Sequence, residues 1–241
     1  MTLFLTSCIG PRERGGGIIG IYRENGFIAE LAKRWKAGSR ILILAADPAS
    51  GRNDGWIEVM KTCCADGALS VGSIDLCDNR ALELADRIAS YDVVVLAGGH
   101  PQTQNTFFHR IGLGKKMADY RGNVIGISAG SMNCASTVYT HVERTGETEQ
   151  PRAERFIPGL GLTDRMILPH YEELCETILD GKDVMKDMAY PDSRGHEFLC
   201  LHDGSYLLCE NGTEIVFGQA YRLKDAVLES ICRDGESLIL R

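Results

Sequence analysis

A serine in the pentapeptide Gly126-Ile127-Ser128-Ala129-Gly130 directly follows the apolar run Val124 to Ile127 and opens a segment of small residues. That setting predicts a tight strand-to-helix turn, which exposes the serine hydroxyl and frees the next backbone N–H to bind an oxyanion. A hydroxyl is a poor nucleophile until a base takes its proton, so a histidine is required. Of the six histidines, His170 ends the strand-like run Met166-Ile167-Leu168-Pro169, where Pro169 restricts the backbone leading into it. His100 is the second candidate, in the loop Gly98-Gly99-His100-Pro101 after another strand-like run; His109, His141, His196 and His202 sit in more polar or helical surroundings.

The base in turn needs a carboxylate to fix its tautomer. Asp203, in Leu201-His202-Asp203-Gly204-Ser205, follows an apolar strand, but Asp-Gly is equally a turn dipeptide. Gly98-Gly99 also has two readings: a bare tight turn, or a loop whose Gly99 N–H joins that of Ala129 in an oxyanion hole. Serine, base, acid and two N–H donors would together perform acyl transfer.

With 27 glycines in 241 residues the pentapeptide is not specific by itself, so its context must carry the weight. A phosphate loop is the weaker option, because there is no G-x-x-x-x-G-K-[ST] and Gly15-Gly16-Gly17 does not lead from a clear strand into a helix. A net charge of −7, with both signs mixed along the chain, argues against a nucleic-acid partner. The nine cysteines show no C-x-x-C pair and no zinc-ligand spacing, so no metal is expected and they read as small hydrophobes in a reducing cytosol. The first residues lack a basic stretch ahead of their short apolar run, and no run of eighteen apolar residues follows; a soluble, cytoplasmic protein is expected.

Positioning the chemistry falls to short, continuously apolar runs: Leu3 to Leu5, Ile41 to Leu44, Val71 to Leu76, Val93 to Leu96 and Val124 to Ile127. Continuous rather than alternating apolarity predicts strands buried on both faces. Helical periodicity lies between them, in Phe27 to Trp35, Trp56 to Met60 and Ala81 to Ala89. The alternation predicts one α/β domain over residues 1–241, a doubly wound, mainly parallel sheet with helices on both faces. Ligand sites in such sheets lie at the carboxyl ends of the strands, so the loops Asp47 to Gly51, Gly98 to Pro101 and the Ser128 turn could share one cleft. The polar stretch Glu143 to Arg152 reads either as a solvated loop or as one folded over the site. Beyond Tyr190 an antiparallel pattern is predicted, with Asn211-Gly212 and Asp234-Gly235 as hairpin turns.

The Gly-Gly loop, Gly126-Ile127-Ser128-Ala129-Gly130, Leu168-Pro169-His170-Tyr171 and Asp203-Gly204-Ser205 resemble, in that order, the motifs of the peptidase E group. The resemblance spans essentially the whole chain. It implies a class I glutamine amidotransferase-like, three-layer fold and a serine dipeptidase cleaving after an N-terminal aspartate, related to the cyanophycinases. The family's Ser, His, acid order would assign Ser128, His170 and Asp203, an order that disfavours an α/β-hydrolase. A second family acid would match Glu143, as a rival for a functional role or a holder of the substrate's α-amino group. Gly98, His100, Gln104 and Asn105, from a loop longer than the family's usual one, should touch substrate. An acidic substrate side chain would need a cation, with Arg152, Arg155, Arg165, Lys182 and Arg194 as candidates. No cofactor is implied; the alternatives are a hydrolase of β-linked aspartyl peptides and an inactive peptide-binding relative. The expected partner is a small peptide, with a monomer or a homodimer both allowed.

Overall fold

The computed structural model describes residues 1–13 and 17–240; the first two glycines of the Gly15-Gly16-Gly17 cluster lie outside the described residues. Five of the apolar runs become strands: β1 (Thr2–Thr6), β2 (Ser39–Leu44), β3 (Val71–Cys77), β4 (Val93–Leu96) and β5 (Asn123–Ile127). They lie in the order β3-β2-β4-β5-β1 and every neighbouring pair is parallel. Beyond β1 the sheet continues antiparallel through β12 (Tyr206–Glu210), β13 (Thr213–Phe217) and β16 (Ser237–Leu240), making eight strands. Asn211 and Gly212, both at positive φ, join β12 to β13.

Successive side chains on a strand point to opposite faces, so a strand apolar at every position feeds two cores. Ile41 and Ile43 pack with Phe4, Val93 and Ile125 against helices α1 (Phe27–Ala32) and α2 (Gly55–Asp66). Leu42 and Leu44 join Val94 and Val124 on the other face, under Phe107, Phe108 and Met117 of α3 (Pro101–Arg110) and α4 (Leu113–Met117). The segment predicted helical from Ala81 to Ala89 is a 3₁₀ stretch, Leu82–Ser90, which places Ala85 and Ile88 in this second core. The result is a mixed α/β fold around a large, mainly parallel sheet.

After the short helix α5 (Ala129–Met132), strands β6 (Thr137–Tyr139) and β7 (Phe156–Pro158) pair, and the chain then builds a second sheet. It contains β8 (Met166–Leu168), β11 (Glu197–Leu201), β14 (Ala220–Lys224) and β15 (Val227–Cys232), in the order β15-β14-β11-β8. Ile167, Leu199 and Leu201 face the core beneath the main sheet. Leu168, Phe198 and Cys200 face outward onto Tyr171 and Leu174 of α6 (Tyr171–Leu174) and onto Val184 to Met188. The small ladder β9 (Ile178–Leu179)/β10 (Lys182–Asp183) and helix α7 (Tyr190–Asp192) complete this region.

Two expectations for the C-terminal part require correction. Asp234-Gly235 does not close a hairpin, because β15 belongs to the second sheet and β16 to the main one; the turn carries the chain between them. Phe198 to Leu201 and Ser205 to Cys209 likewise lie in different sheets, with Asp203 on the crossing. The hairpin the sequence did not signal is β14–β15, turned through Asp225 and Ala226 at φ 50° and 61°.

Candidate active site

Ser128 follows β5 directly and N-caps α5 with φ 51° and ψ −114°, a strained conformation for a residue with a side chain. Its flanking glycines make the turn possible. A Cβ on Gly126 would sit 2.8 Å from Ser131 Cα, and one on Gly130 would sit 2.1 Å from the Leu96 carbonyl oxygen. The helix therefore comes down onto β4 and β5 only because both positions are bare. The Ser128 backbone N–H bonds the Thr6 carbonyl at 3.1 Å, which fixes the turn to β1. Ala129 is the first residue of α5, where a backbone N–H has no partner inside the helix.

Gly99 follows β4 at φ 152°, and a Cβ there would meet Ala46 Cβ at 2.6 Å. Its neighbour Gly98 abuts the serine: a Cβ would stand 3.6 Å from Ser128 Cβ. Next, His100 caps α3 by accepting the Thr103 N–H at Nδ1, and its Nε2 lies 2.9 Å from Glu147 Oε1. Accepting at Nδ1 leaves the ring proton on Nε2, so His100 donates to Glu147.

The other half of the site comes from the second sheet. β8 and β11 are parallel neighbours with Leu168 opposite Cys200, so the segments leaving their carboxyl ends emerge side by side. His170 and Asp203 lie on those segments, and His170 Nδ1 is 2.6 Å from Asp203 Oδ1. Although burial opposes it, the bond from His170, the nearby His170 charge, the Ser7 hydroxyl and Arg12 hold the Asp203 carboxyl below its ordinary pKa. An ionised carboxylate only accepts, so the proton of that bond sits on Nδ1 and Nε2 is left basic. Asp203 Oδ2 is 2.9 Å from Arg12 Nη2, which also reaches Glu173 Oε2 at 2.9 Å. Behind the carboxylate, the Asp203 N–H donates to Glu172 Oε1 at 2.9 Å.

Ser128, Gly99, His100, His170, Arg12 and Glu143 line one cleft of about 480 Å³, a volume suited to a small ligand. A larger groove of about 790 Å³ runs between β16 and the second sheet, but its walls contain no histidine. The polar stretch after residue 142 folds onto the cleft, as the sharper of its two readings predicts. Glu143 and Arg144 are on the wall, and Glu147 accepts both of their backbone N–H groups at 2.8 and 3.0 Å. Glu143 lies beside His141, with Oε1 3.3 Å from Nε2, and not beside His170. Protein crowded around its carboxyl, with the charge on Glu147, pushes the Glu143 pKa up to about 8. Burial drives His141 down to about 3, with His170 adding to the effect, and its Nδ1 has no hydrogen-bond partner among the described residues.

Several expected contributors lie elsewhere. Gln104 and Asn105 are buried and turned inward: Gln104 Nε2 donates to the Ala97 carbonyl at 2.7 Å, and Asn105 Nδ2 donates to Asn133 and Pro158 at 2.9 Å. The Asp47 to Gly51 loop is absent from the cleft wall, since β2 stands two strands from β5. None of the five candidate cations lines the cleft. Arg155 and Arg152 pair with Asp192, Arg165 with Glu214, and Lys182 with Glu149. The cations that line it are Arg12 and Arg144, and among the described residues the Arg144 guanidinium has no ion-pair partner.

Sequence reasoning missed Ser7, Arg12, His141 and Glu147. Ser7 carried a usable signal, since it ends the run that becomes β1. For the others, nothing in the local sequence marks proximity to a residue more than twenty positions away. Among the described residues, no cluster of three or more His, Cys, Asp or Glu side chains could hold a metal ion. No helix in them is long and apolar enough to cross a membrane.

Comparison with known proteins agrees with this architecture. The model of peptidase family S51 matches residues 24–218. A solved peptidase from an acI-B1 Actinobacterium superposes with a TM-score of 0.69 at 15% identity, over 99% of this chain and 96% of its own. A putative peptidase E protein from Listeria monocytogenes EGD-e superposes with a TM-score of 0.56 at 12% identity, over 95% of this chain and 98% of its own. No curated protein matches. The match from the first helix to the end of β13 encloses the serine turn and both segments that meet beside it, and the chain accordingly belongs to peptidase family S51, the serine peptidases of the peptidase E type.

Proposed function

We propose that this serine peptidase is an exopeptidase of short peptides, with Ser128 as nucleophile, His170 as base and Asp203 as the acid that orients it. The observation that carries the reading is the 2.6 Å contact of His170 Nδ1 with Asp203 Oδ1, made at the rim of the cleft that Ser128 also lines. Ser128 Oγ attacks the scissile carbonyl as His170 Nε2 takes its proton. His170 then returns that proton to the leaving amine, and water releases the acyl group by the same route reversed. The Gly99 and Ala129 N–H groups receive the oxyanion, each such donor being worth about 3–4 kcal/mol in the transition state.

Glu143 is set apart from the base, which leaves it to receive the substrate's α-ammonium rather than to serve as the triad acid; the ammonium's charge would draw a carboxyl raised to about 8 into its ionised form. Arg144, a cleft cation with no ion-pair partner among the described residues, is the group we assign to an acidic side chain such as that of an N-terminal aspartate. Nine free cysteines support a reducing, cytoplasmic setting.

Ser128→Ala in purified, folded protein should abolish cleavage of Asp-Xaa dipeptides and labelling by a fluorophosphonate. Unchanged turnover would overturn the assignment. Parallel assay of α- and β-linked aspartyl dipeptides decides the linkage.

A further inference from the structure

Ser7 lies at the carboxyl end of β1 and is fully buried. Its hydroxyl makes two bonds, and both go to the base–acid pair. Oγ donates to Asp203 Oδ1 at 2.8 Å and accepts the His170 backbone N–H at 2.7 Å. β1 is also the strand against which Ser128 is registered: Thr6 pairs with Ile127, and the Thr6 carbonyl takes the Ser128 N–H. One turn of chain, Thr6-Ser7, thus touches all three residues of the proposed triad, although Ser128 belongs to the main sheet and the other two hang from the second.

We infer that Ser7 is a positioning residue for the peptidase reaction: its hydroxyl sets the place and orientation of His170 in the cleft that Ser128 also lines and fixes the charge of Asp203. The inference rests on the triad reading above. Three features require such an anchor. His170 is in the left-handed region at φ 53° and ψ 39°, which a residue with a side chain holds only when the surroundings enforce it. Its N–H begins α6, where no helical carbonyl can reach it, so the Ser7 oxygen is what fixes that end of the segment. Asp203 Oδ1 receives two donors, His170 Nδ1–H and Ser7 Oγ–H, so the hydroxyl shares the carboxylate's charge with the imidazole.

That sharing has a sign. With the hydroxyl gone, the carboxylate is less well solvated, and its attraction for a protonated His170 grows; the imidazolium is stabilised and the base becomes harder to deprotonate. The other groups facing the pair are Arg12 and Glu173 on the cleft wall, His141 across it, Glu172 behind Asp203, and Tyr22 beside the carboxylate. Cys8, beside Ser7 in the chain, also faces Asp203; none of these groups bonds the Ser7 hydroxyl, so the substitution removes no contact of theirs.

The test compares Ser7→Ala and Ser7→Thr with wild type on one dipeptide substrate, with full pH profiles. Ser7→Ala is expected to lower kcat roughly ten- to a hundredfold, the loss of a bond to a charged group, with KM nearly unchanged. The acid limb of its kcat/KM profile moves up by about half a pH unit or more, and Ser7→Thr, which keeps the hydroxyl, recovers the wild-type limb. A packing role alone would lower stability without moving the limb. Wild-type kcat and an unmoved limb in Ser7→Ala overturn the inference. If Ser7→Ala does not fold, Ser7→Cys fills the space with a weak donor and is read the same way. Fluorophosphonate labelling of Ser128 in every variant separates the outcomes: a wild type that Ser128→Ala does not silence refutes the triad itself, whereas a labelled, fully active Ser7→Ala refutes only the role of Ser7.

Discussion

Leu168 stands opposite Cys200 in a parallel pair, and this register brings the segments bearing His170 and Asp203 together. The base and acid we propose are thus matched by strand pairing, two or three residues before either. A one-residue slip of β8 against β11 would turn every side chain of the strand over and separate the two.

Asp203→Asn tests the acid directly. The amide keeps the shape of the carboxylate but removes the charge that holds the Nδ1 proton, so His170 is no longer kept in the basic tautomer. We expect kcat to fall by about 10⁴-fold with little change in KM, measured by steady-state hydrolysis of a dipeptide.

Gly130→Ala places a methyl 2.1 Å from the Leu96 carbonyl oxygen, a backbone atom that cannot swing aside. The helix that carries Ala129 must lift from β4. A loss of at least about 2 kcal/mol in urea unfolding is expected, together with loss of labelling at Ser128.

The buried pair of Arg155 with Asp192 ties the loop over the cleft to α7, with contacts at 2.6 and 2.7 Å, and Tyr139 donates to the same carboxylate at 2.9 Å. Arg155→Met leaves that buried carboxylate with only the longer, partly exposed ionic contact of Arg152 at 3.5 Å. Destabilisation by about 3–5 kcal/mol in chemical denaturation is expected.

Stability should respond to pH through two cleft groups of opposite sense. Glu143, raised to about 8 in the folded chain, stabilises fully below its unfolded value near 4.5 and loses that contribution as pH rises through 8. His141, lowered to about 3, stabilises above its unfolded value near 6.5 and loses that contribution as pH falls toward 3. Glu143→Gln should flatten the fall in stability between about pH 4.5 and 8 and leave the His141 contribution in place, read as the unfolding midpoint in urea from pH 4 to 9. An unchanged alkaline slope would show that Glu143 titrates normally.

Arg144→Ala should raise KM for Asp-Xaa dipeptides about tenfold or more and leave Ala-Xaa hydrolysis unaltered. Equal losses on both substrates would assign Arg144 to general binding instead of side-chain recognition.

The main sheet was legible because its strands are apolar at every position, a pattern that burial on both faces imposes. Ser128 was legible because its turn demands bare neighbours, and Gly126 and Gly130 record that demand in the sequence. Gln104 and Asn105 misled because a polar side chain is read as facing water, whereas these two amides satisfy the Ala97 and Pro158 carbonyls inside the protein. Asp234-Gly235 misled because turn residues report a change of direction and not the sheet to which the chain returns. The β14–β15 turn carried no signal at all, since Ala226 holds a positive φ that its residue type disfavours. Ser7, Arg12 and Glu147 act across distances in the chain that only the assembled sheets close.

Because the nucleophile's strand is complete long before the second sheet is synthesised, the order of synthesis disarms the protein while it is being made. A nascent chain that has emerged only as far as α5 carries Ser128 and His100 but neither the His170 nor the Asp203 that we assign to the triad. On the triad we propose, hydrolysis requires β8 and β11 to have paired, and it is lost when that sheet loosens. On that reading, a molecule whose second sheet has come apart holds its serine without its base and cannot cleave the peptides around it.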